Sequence, residues 1–525
     1  MHNFNLKKKK MLYLNKTKIF SVLITLFIFL NSCNDLEEEV FSFNTESNAI
    51  TNLSGVDLAM NGIYDAWASQ HGNRLFRWAT ASGPSQYTVC RFEPTNRDAR
   101  YVSYLWDPTD RFFTTRIWTL AYQTIQRTNI VISAIPNTDL TTAQAENRMA
   151  EARFLRANEY FFMVRMFGGV PLHLEVTNEV TDDLLNGNSL PRNTAQEVYD
   201  AIIADLQYAE VEGRLPATRP SNENGRPTSG SVKSLLGEVY LQMAGLKQAN
   251  PSLGITGGSY QLAVDKLLEV VNSNVYELQP TFEAVFDVNN EFNSEVVWAT
   301  PNINGFTSTR NLIPWGLRPP NTAGATGSGF GGFIEWGLSL EFYESFDPAD
   351  PRRDATMAYS YEAFNGETIT FNQPPFPVFE FGVATYDEVT GLGFNKWFEG
   401  GGSGNAFNEN DDVFIRYADV LLMLAEAYVG ANNAPQALPY INEVRDRVDL
   451  DLLTSVTLED IKQERAWELA GEYQEYFDLQ RWGDVEKAMQ EGPDVVAQYG
   501  QKYETMPLPT NALQGNANLV QNDGW

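Results

Sequence analysis

Helical periodicity recurs along most of this 525-residue chain and limits the folds that it can adopt. In the range 111–135, Ile117, Ile125 and Ile132 recur at helical spacing, and Pro136 ends the pattern. Further helices are predicted at 141–167, 194–210, 229–246, 259–273, 413–429, 434–448, 458–472 and 476–490. Helices therefore dominate both halves of the sequence, which predicts a mainly α fold.

Pairs of these helices carry the spacing of tetratricopeptide repeats, in which small residues let two antiparallel helices approach closely. The clearest pair spans 413–448, a second joins 229–246 to 259–273, and a weaker third joins 153–161 to 197–208. The first two pairs rest on Leu421, Leu424, Ala425, Tyr428, Ala437 and Ile441, and on Leu236, Gly237, Tyr240, Ala263 and Leu267. We interpret the aromatic residues in them as packing core, so the pattern predicts a helical repeat scaffold.

Two regions interrupt the helical pattern. Residues 291–410 are rich in Gly, Pro, Asn and aromatic residues, and a shorter insertion occupies 68–110. Glycine-rich runs at 324–332 and 400–404 predict loops, and the proline-rich run at 374–377 predicts extended chain. Because binding groups usually lie on loops carried by a rigid scaffold, we expect the ligand site in these two regions.

The N-terminus has the pattern of an export signal. Six lysines precede an apolar run at 19–30, which as a helix would extend only about 18 Å, short of the roughly 30 Å hydrocarbon core of a bilayer. Residues 1–32 are therefore predicted to be a signal peptide and not a membrane span. The run L-N-S-C that ends at Cys33 resembles the lipobox of bacterial lipoproteins. Cys33 is thus the expected lipidation site, and an acidic tether at 33–48 follows it.

The charge of the chain disfavours several classes of ligand. Its net charge is −29, and removal of residues 1–32 takes away six lysines and no acids, which leaves −35. Such a surface repels nucleic acids and other polyanions. A neutral or cationic ligand is expected, although the acidity could equally serve only to keep an exported protein soluble.

Cysteine and histidine are too few for a disulfide framework or a zinc site. If Cys33 carries lipid, Cys90 is the remaining thiol and is expected to be buried. After signal removal only His71 and His173 are left, which cannot alone form a convincing zinc site. The sequence also lacks a glycine-rich phosphate loop, G-x-S-x-G and H-E-x-x-H. We therefore expect no cofactor, no metal and no catalytic residue.

Ordered motifs along the whole chain resemble those of SusD/RagB-family proteins, the surface lipoproteins that serve TonB-dependent outer-membrane importers. In the first half these are EARFLRA at 151–157, YF at 160–161 and FGGVPL at 167–172. In the second half they are RYADVLL at 416–422, AEA at 425–427, INEVR at 441–445, ERAWEL at 464–469, YFDLQRWG at 476–483, PLP at 507–509 and QNDGW at 521–525. Trp525 stands where the family more often has Tyr. The loop-rich region matches no family motif, so ligand identity is not implied.

The resemblance implies a tetratricopeptide-like scaffold with a variable, ligand-binding lobe. It also implies a protein that is not an enzyme, that is lipid-anchored at the outer membrane and exposed at the cell surface, and that works with a SusC-like TonB-dependent transporter. The expected divisions are 1–32 signal peptide, 33–48 tether, 49–290 N-terminal helical region with the insertion at 68–110, 291–410 variable lobe and 411–525 C-terminal helical region.

Sugar binding requires exposed aromatic faces for the C–H faces of the sugar and planar polar side chains for its hydroxyls. In the two loop-rich regions the candidate glycan-binding residues are Trp78, Trp315, Trp336, Trp106, Arg77 and Asn73. Trp78 and Trp315 are preferred because both lie beside polar residues and outside helical packing patterns. Each could instead be a core residue. Trp298 lies in a β-like apolar run and is excluded.

Several conspicuous polar residues are interpreted as structural. Arg481 and Trp482 are expected to lock the C-terminal helices together. Glu464 and Glu468 look like paired catalytic carboxylates, but with Arg465 they are interpreted as an ion network on one helix face.

The leading hypothesis is capture of an oligosaccharide or polysaccharide for a transporter, with a neutral β-glucan of the laminarin type preferred. Five arginines in the first insertion keep an acidic glycan open: Arg74, Arg77, Arg91, Arg97 and Arg100. Three alternatives remain: capture of peptides or glycopeptides on the same scaffold, a secreted glycoside hydrolase with two carboxylates, and a protein–protein scaffold built on helical repeats.

Overall fold

A computed structural model shows how the helices and loop-rich regions are arranged. It describes residues 50–71, 83–90, 99–110, 114–176, 190–302, 336–362, 368–370, 391–396 and 410–525. The predicted signal peptide and tether, Cys33 and much of the two loop-rich regions lie outside these ranges. Within them the chain is mainly helical, which confirms the predicted fold class.

Six α-helices lie in the described part of the N-terminal half. They are α1 (Leu53–His71), α2 (Thr114–Ala134), α3 (Thr142–Phe167), α4 (Ala195–Ala209), α5 (Ser229–Ala249) and α6 (Tyr260–Val271). Thr141, Thr194 and Thr228 begin α3, α4 and α5 with reciprocal capping boxes, which satisfy backbone N–H groups that a helix start leaves unpaired. Gly168, with φ of 72°, ends α3.

Eight further α-helices follow within the described ranges. They are α7 (Leu340–Glu344), α8 (Pro351–Thr356), α9 (Tyr417–Gly430), α10 (Leu438–Asp446), α11 (Leu458–Leu469), α12 (Glu475–Trp482), α13 (Val485–Glu491) and α14 (Thr510–Gly515). The predicted helix at 476–490 is two helices, because Gly483 adopts φ of 74° and ends α12. The predicted helix at 413–429 starts too early, since Asp412–Arg416 is a strand.

The strands of the described segments form three small antiparallel sheets. The strands are β1 (Thr88–Cys90), β2 (Val296–Thr300), β3 (Trp336–Ser339), β4 (Met357–Ala358), β5 (Ser360–Glu362), β6 (Thr368–Thr370), β7 (Gly391–Phe394) and β8 (Asp412–Arg416). One sheet has the order β1-β3-β7-β4, in which Cys90 pairs with Trp336 and Leu338 with Leu392. The other two are the pairs β2–β8 and β5–β6. The first sheet thus joins both loop-rich regions.

The expected helix pairs are packed against each other. α3 packs on α4, α5 on α6, and α9 on α10. At the α5–α6 contact Gly237 faces Leu267, so close that a Cβ atom at Gly237 would lie 2.7 Å from the leucine side chain. This small residue permits the close helix approach that the repeat pattern predicted. The Cys90 thiol is buried, also as predicted.

Candidate functional site

The two ends of the predicted variable lobe, near residues 302 and 410, lie where β2 pairs with β8. Asn302, which follows β2, donates from its backbone N to Asp411 Oδ1 over 3.0 Å and from Nδ2 to the backbone oxygen of Asn410 over 2.6 Å. The Nδ2 atom of Asn410 in turn donates to the backbone oxygen of Phe286. Residues 302 and 410, which bound the loop-rich region, are therefore held together at one point of the scaffold.

An aromatic cluster lies beneath this point. The ring centroid of Trp67 in α1 is 5.1 Å from that of Trp298 in β2 and 4.9 Å from that of Phe414 in β8. Trp298 also meets Phe154 of α3 edge-on at 4.9 Å, and its indole donates to the backbone oxygen of Gly225. Trp298 is 3% exposed, which confirms its assignment to the scaffold. Trp67 lies near the end of α1, which stops four residues later at His71. The first insertion therefore also starts close to the β2–β8 pair.

Four of the predicted glycan-binding residues lie outside the described residues. These are Asn73, Arg77, Trp78 and Trp315. Their place in the site therefore stays a prediction.

Trp336 does not offer an exposed face. It begins β3 and is 0% exposed, with Cys90 of β1 as its cross-strand partner. A ring covered by protein on all sides cannot stack on a sugar, so the structure does not support Trp336 as part of a glycan platform.

Trp106 is likewise a core residue. It is 7% exposed and stacks on Tyr104 and Trp525, with ring centroids 5.2 and 6.1 Å away. Tyr476 and Tyr503 meet it edge-on. Trp106 therefore packs the first insertion against the C-terminal segment and is not available as a sugar platform.

The suspected catalytic carboxylates lie in a buried ion network around α11. Glu464 and Glu468 are both 0% exposed. Arg352 Nη1 donates to Glu464 over 2.6 Å and to Glu468 over 2.9 Å, and Arg445 donates to Glu464 over 2.7 Å. Arg416 Nη1 donates to Glu468 over 2.5 Å. The two glutamates belong to an ion network, as predicted, but the network is buried and its arginines are Arg352, Arg416 and Arg445 from other segments, so the predicted partner Arg465 was wrong.

Arg465 serves a second network. It bonds Asp419 of α9 and Asp478 of α12, both over 2.8 Å, and not the glutamates on its own helix. Arg481 bonds Glu426 of α9 over 2.7 Å and also pairs with Asp478. Arg481 thus locks the C-terminal helices together, as predicted.

The electrostatics of Glu468 are unsuited to proton transfer at neutral pH. Burial alone would raise the pKa of its carboxyl, but Arg447, Arg416 and Arg352 together hold that pKa well below the ordinary value. A general acid must instead keep its proton near the working pH. Glu468 is therefore a structural anion.

Lys396 ties the lobe to the same network. Its side chain is 0% exposed, and its ammonium lies 2.5 Å from Glu472 and donates to the backbone oxygens of Glu468 and Ala470 over 2.9 and 3.1 Å. Burial lowers the pKa of this lysine to about 8. Lys396 and Arg352 thereby fasten the loop-rich region to the C-terminal end of α11, and neither residue was singled out in the sequence.

The described residues contain no metal centre. No three His, Cys, Asp or Glu side chains among them are grouped so that they could hold a metal ion. His173 is buried beside Tyr122, and burial lowers its pKa. None of the helices in the described ranges is both long and apolar enough to cross a bilayer.

Comparison with known families gives two matches that do not overlap. A model described as the SusD family matches residues 338–525. A second, described as starch-binding and associating with the outer membrane, matches residues 38–241.

Curated relatives cover most of the chain. SusD-like protein P2 of Formosa agariphila is 26% identical over 547 residues, which span 95% of this chain and 98% of the relative. SusD-like protein P25 of the same organism is 26% identical over 446 residues, or 77% of this chain and 78% of the relative.

Solved structures share the fold over about nine tenths of the chain. A laminarin-binding SusD-like protein superposes with a TM-score of 0.73 at 25% identity, over 90% of this chain and 100% of the other. Surface glycan-binding protein A from Bacteroides thetaiotaomicron gives the same TM-score and coverage at 20% identity, which shows the fold alone.

Proposed function

This chain is a SusD-like protein, and we propose from that premise that it captures a glycan at the cell surface and delivers it to a SusC-like TonB-dependent transporter. The observation that carries the proposal is the match along 90% of the chain to a solved protein named for laminarin binding. In the proposal, lipid on Cys33 anchors the protein to the outer membrane, and the chain binds its glycan without cleaving it.

A neutral β-glucan of the laminarin type is the proposed ligand. The mature net charge of −35 opposes the approach of uronate and sulfate polymers. Trp78 and Trp315 are proposed as the stacking platform, flanked by Asn73 and Arg77, because such side chains meet the faces and hydroxyls of sugars.

The environment of Glu464 and Glu468, the pair that most resembled catalytic carboxylates, supports a protein that does not hydrolyse its glycan. Glu464 and Glu468 are buried and held by arginines, so among the described residues this pair cannot perform the acid and base steps of glycoside cleavage.

Native affinity electrophoresis of residues 33–525 tests glycan capture. We expect laminarin in the gel to retard the protein, and alginate to leave it unretarded. Trp78→Ala and Trp315→Ala should each abolish the retardation, whereas Tyr440→Ala, a partly exposed ring on α10, should not. Retardation by none of a panel of neutral and acidic polysaccharides would overturn glycan capture and favour peptide binding. Retardation by another polymer would replace laminarin as the ligand.

Two further measurements test the remaining parts. Chromatography after incubation with laminarin should show no shorter products, and their appearance would contradict a purely binding role. Lipidated protein purified from outer membranes in detergent should bring down a TonB-dependent barrel. The Cys33→Ser variant should be absent from that membrane fraction, and its retention there would refute the proposed anchor.

A further inference from the structure

A group of aromatic and polar side chains lies on the surface of the loop-rich region, where α7, α8 and the ends of β4 and β7 meet. All of its members are at least partly exposed, in contrast to the buried Trp106 and Trp336. We call this group the Tyr343 surface, and it consists of Tyr343, Arg353, Asp354, Tyr359 and Asn395.

Tyr343 holds the group together. Its hydroxyl donates to Asp354 Oδ1 over 2.9 Å, and the guanidinium carbon of Arg353 lies 4.7 Å from the centroid of its ring. The ring centroid of Tyr359 is 5.6 Å from that of Tyr343, with the two planes inclined by 33°. Asn395 Nδ2 donates to the backbone oxygen of Asp354 over 3.1 Å. Each member therefore contacts Tyr343 or Asp354, so the group is compact enough for a single sugar unit.

Arg353 and Asp354 form an ordered pair with unused hydrogen-bonding capacity. Arg353 donates from Nε and from Nη2 to the two oxygens of Asp354, each over 3.1 Å, whereas its Nη1 bonds to none of the described residues. The Asp354 side chain is 64% exposed, and the bonds from Arg353 hold the pKa of its carboxyl below the ordinary value. A balanced, bidentate pair thus offers a fixed donor beside a fixed acceptor, which suits neighbouring hydroxyls of a neutral sugar.

A second pair of tyrosine rings shows what is particular to the Tyr343 surface. Tyr428 of α9 and Tyr440 of α10 are also partly exposed, with ring centroids 5.9 Å apart and planes inclined by 6°. Among the described residues, no arginine or lysine lies over either of these rings. Partly exposed tyrosine pairs therefore occur elsewhere in the chain, but the Tyr343 surface joins such a pair to an ordered arginine and carboxylate.

We propose that the Tyr343 surface is a further glycan subsite that holds one neutral sugar unit. The apolar face of the sugar packs on Tyr359, and its hydroxyls bond to Asp354 and to Arg353 Nη1. Asn395 contributes its amide oxygen, which accepts from none of the described residues. The inference rests on the proposed function, since it assigns another contact to the captured glycan.

The test follows the Arg353 Nε signal by ¹H–¹⁵N NMR of residues 33–525, assigned by its loss in Arg353→Lys. Laminaribiose should shift this signal saturably, with a dissociation constant of about 1 mM, as befits one or two sugar units. Tyr359→Ala removes the stacking ring and should weaken that binding about tenfold, whereas Tyr359→Phe keeps the ring and should retain it. Tyr428→Ala, in the other tyrosine pair, should leave the binding unchanged.

If Tyr359→Ala fails to fold by circular dichroism, Asp354→Ala at the exposed carboxylate replaces it. Retardation by a polysaccharide without an Arg353 shift from the matching disaccharide overturns the subsite and leaves the proposed function standing. A saturable shift that Tyr359→Ala or Asp354→Ala weakens as expected supports the subsite even if no polysaccharide retards the protein, and in that case the proposed polymer capture fails. A shift that neither substitution weakens, or no shift with laminaribiose, cellobiose or maltose, also overturns the subsite.

Discussion

The neighbours of a buried carboxyl decide its behaviour, as Glu468 and Glu475 show only seven residues apart. Three arginines surround Glu468 and hold its pKa well below the ordinary value despite burial. Glu475 has a tyrosine hydroxyl and a nearby aspartate instead, and burial raises its pKa. One is a permanent anion, whereas the other titrates within the physiological range.

Glu475→Gln should flatten the dependence of stability on pH. Folding raises the pKa of Glu475 from 4.5 to about 8, so the folded state holds a proton that the unfolded chain has lost. This contribution is complete below about pH 4.5 and is lost as the pH rises through 8. Between pH 5 and 9 the free energy of unfolding of the wild type should fall by on the order of a few kcal/mol more than that of the Gln variant. Urea unfolding at each pH measures this difference.

The matched control is Glu491→Gln, an exposed carboxyl at the end of α13. It should follow the wild-type curve. Parallel curves for the wild type and Glu475→Gln would show that Glu475 is ionised throughout.

Glu468→Ala should destabilise the protein by about 3–5 kcal/mol, because it removes one buried carboxylate and leaves the positive charge of Arg352, Arg416 and Arg447 only partly compensated. Glu459→Ala removes an ion pair with Lys462 at a position whose side chain is 70% exposed, and should cost less than about 1 kcal/mol. Both are measured from urea midpoints. Equal effects would mean that the network contributes no more than a surface pair.

The structural role of the helix acids could be predicted from the sequence, but the arginines that pair with them could not. The spacing of Glu464 and Glu468 predicted an ion network, and Arg481 was correctly assigned a structural role. Arg352 lies 112 residues from Glu464, and no periodicity links the two. Exposure is equally non-local, which is why Trp106 and Trp336 resembled platform residues until neighbours from other segments were seen to cover them.

At the scale of elements, close helix packing depends on α5. A Cβ atom at Gly245 would lie 2.5 Å from the backbone oxygen of Arg481 in α12, and a backbone atom cannot move aside as a flexible side chain can. Gly245→Ala should therefore destabilise the protein by about 1–3 kcal/mol through overpacking.

Gly62→Ala in α1 provides the matched control for that substitution. No atom lies within 4 Å of a Cβ at Gly62, so alanine should stabilise the helix by roughly 0.5–1 kcal/mol. Thermal unfolding should give a lower melting temperature for Gly245→Ala and a higher one for Gly62→Ala than for the wild type. A stable Gly245→Ala variant would show that α5 and α12 can separate without loss.

Helix existence was predictable because each amphipathic helix carries its own period and its own caps, such as Thr141 and Thr194. Strand β8 was missed because its short apolar run continues directly into α9. Only pairing with β2, more than 100 residues earlier, gives it strand structure.

At the scale of the whole molecule, the acidic surface should make the binding of charged polymers, but not of neutral ones, depend on salt concentration. Retardation by neutral laminarin should be unchanged between 20 mM and 0.5 M NaCl, since uncharged hydroxyls are not screened. Retardation by polylysine, a polycation that serves as the control, should fall sharply over the same range because residues 33–525 carry a net charge of −35. A salt-sensitive response to laminarin would place charged groups at the centre of recognition.

The short bridge between Asn302 and Asn410 has an evolutionary consequence. It brings together two positions 108 residues apart. The contacts of the scaffold therefore already offset the entropy lost on closing this long segment into a loop. Closure entropy grows only logarithmically, by about 0.6 kcal/mol for each doubling of a flexible loop. Insertions and deletions in the loops between these two asparagines, outside β3, α7, α8 and β7, should thus cost little free energy. Natural selection can lengthen, shorten or exchange those loops while the helical framework keeps its sequence.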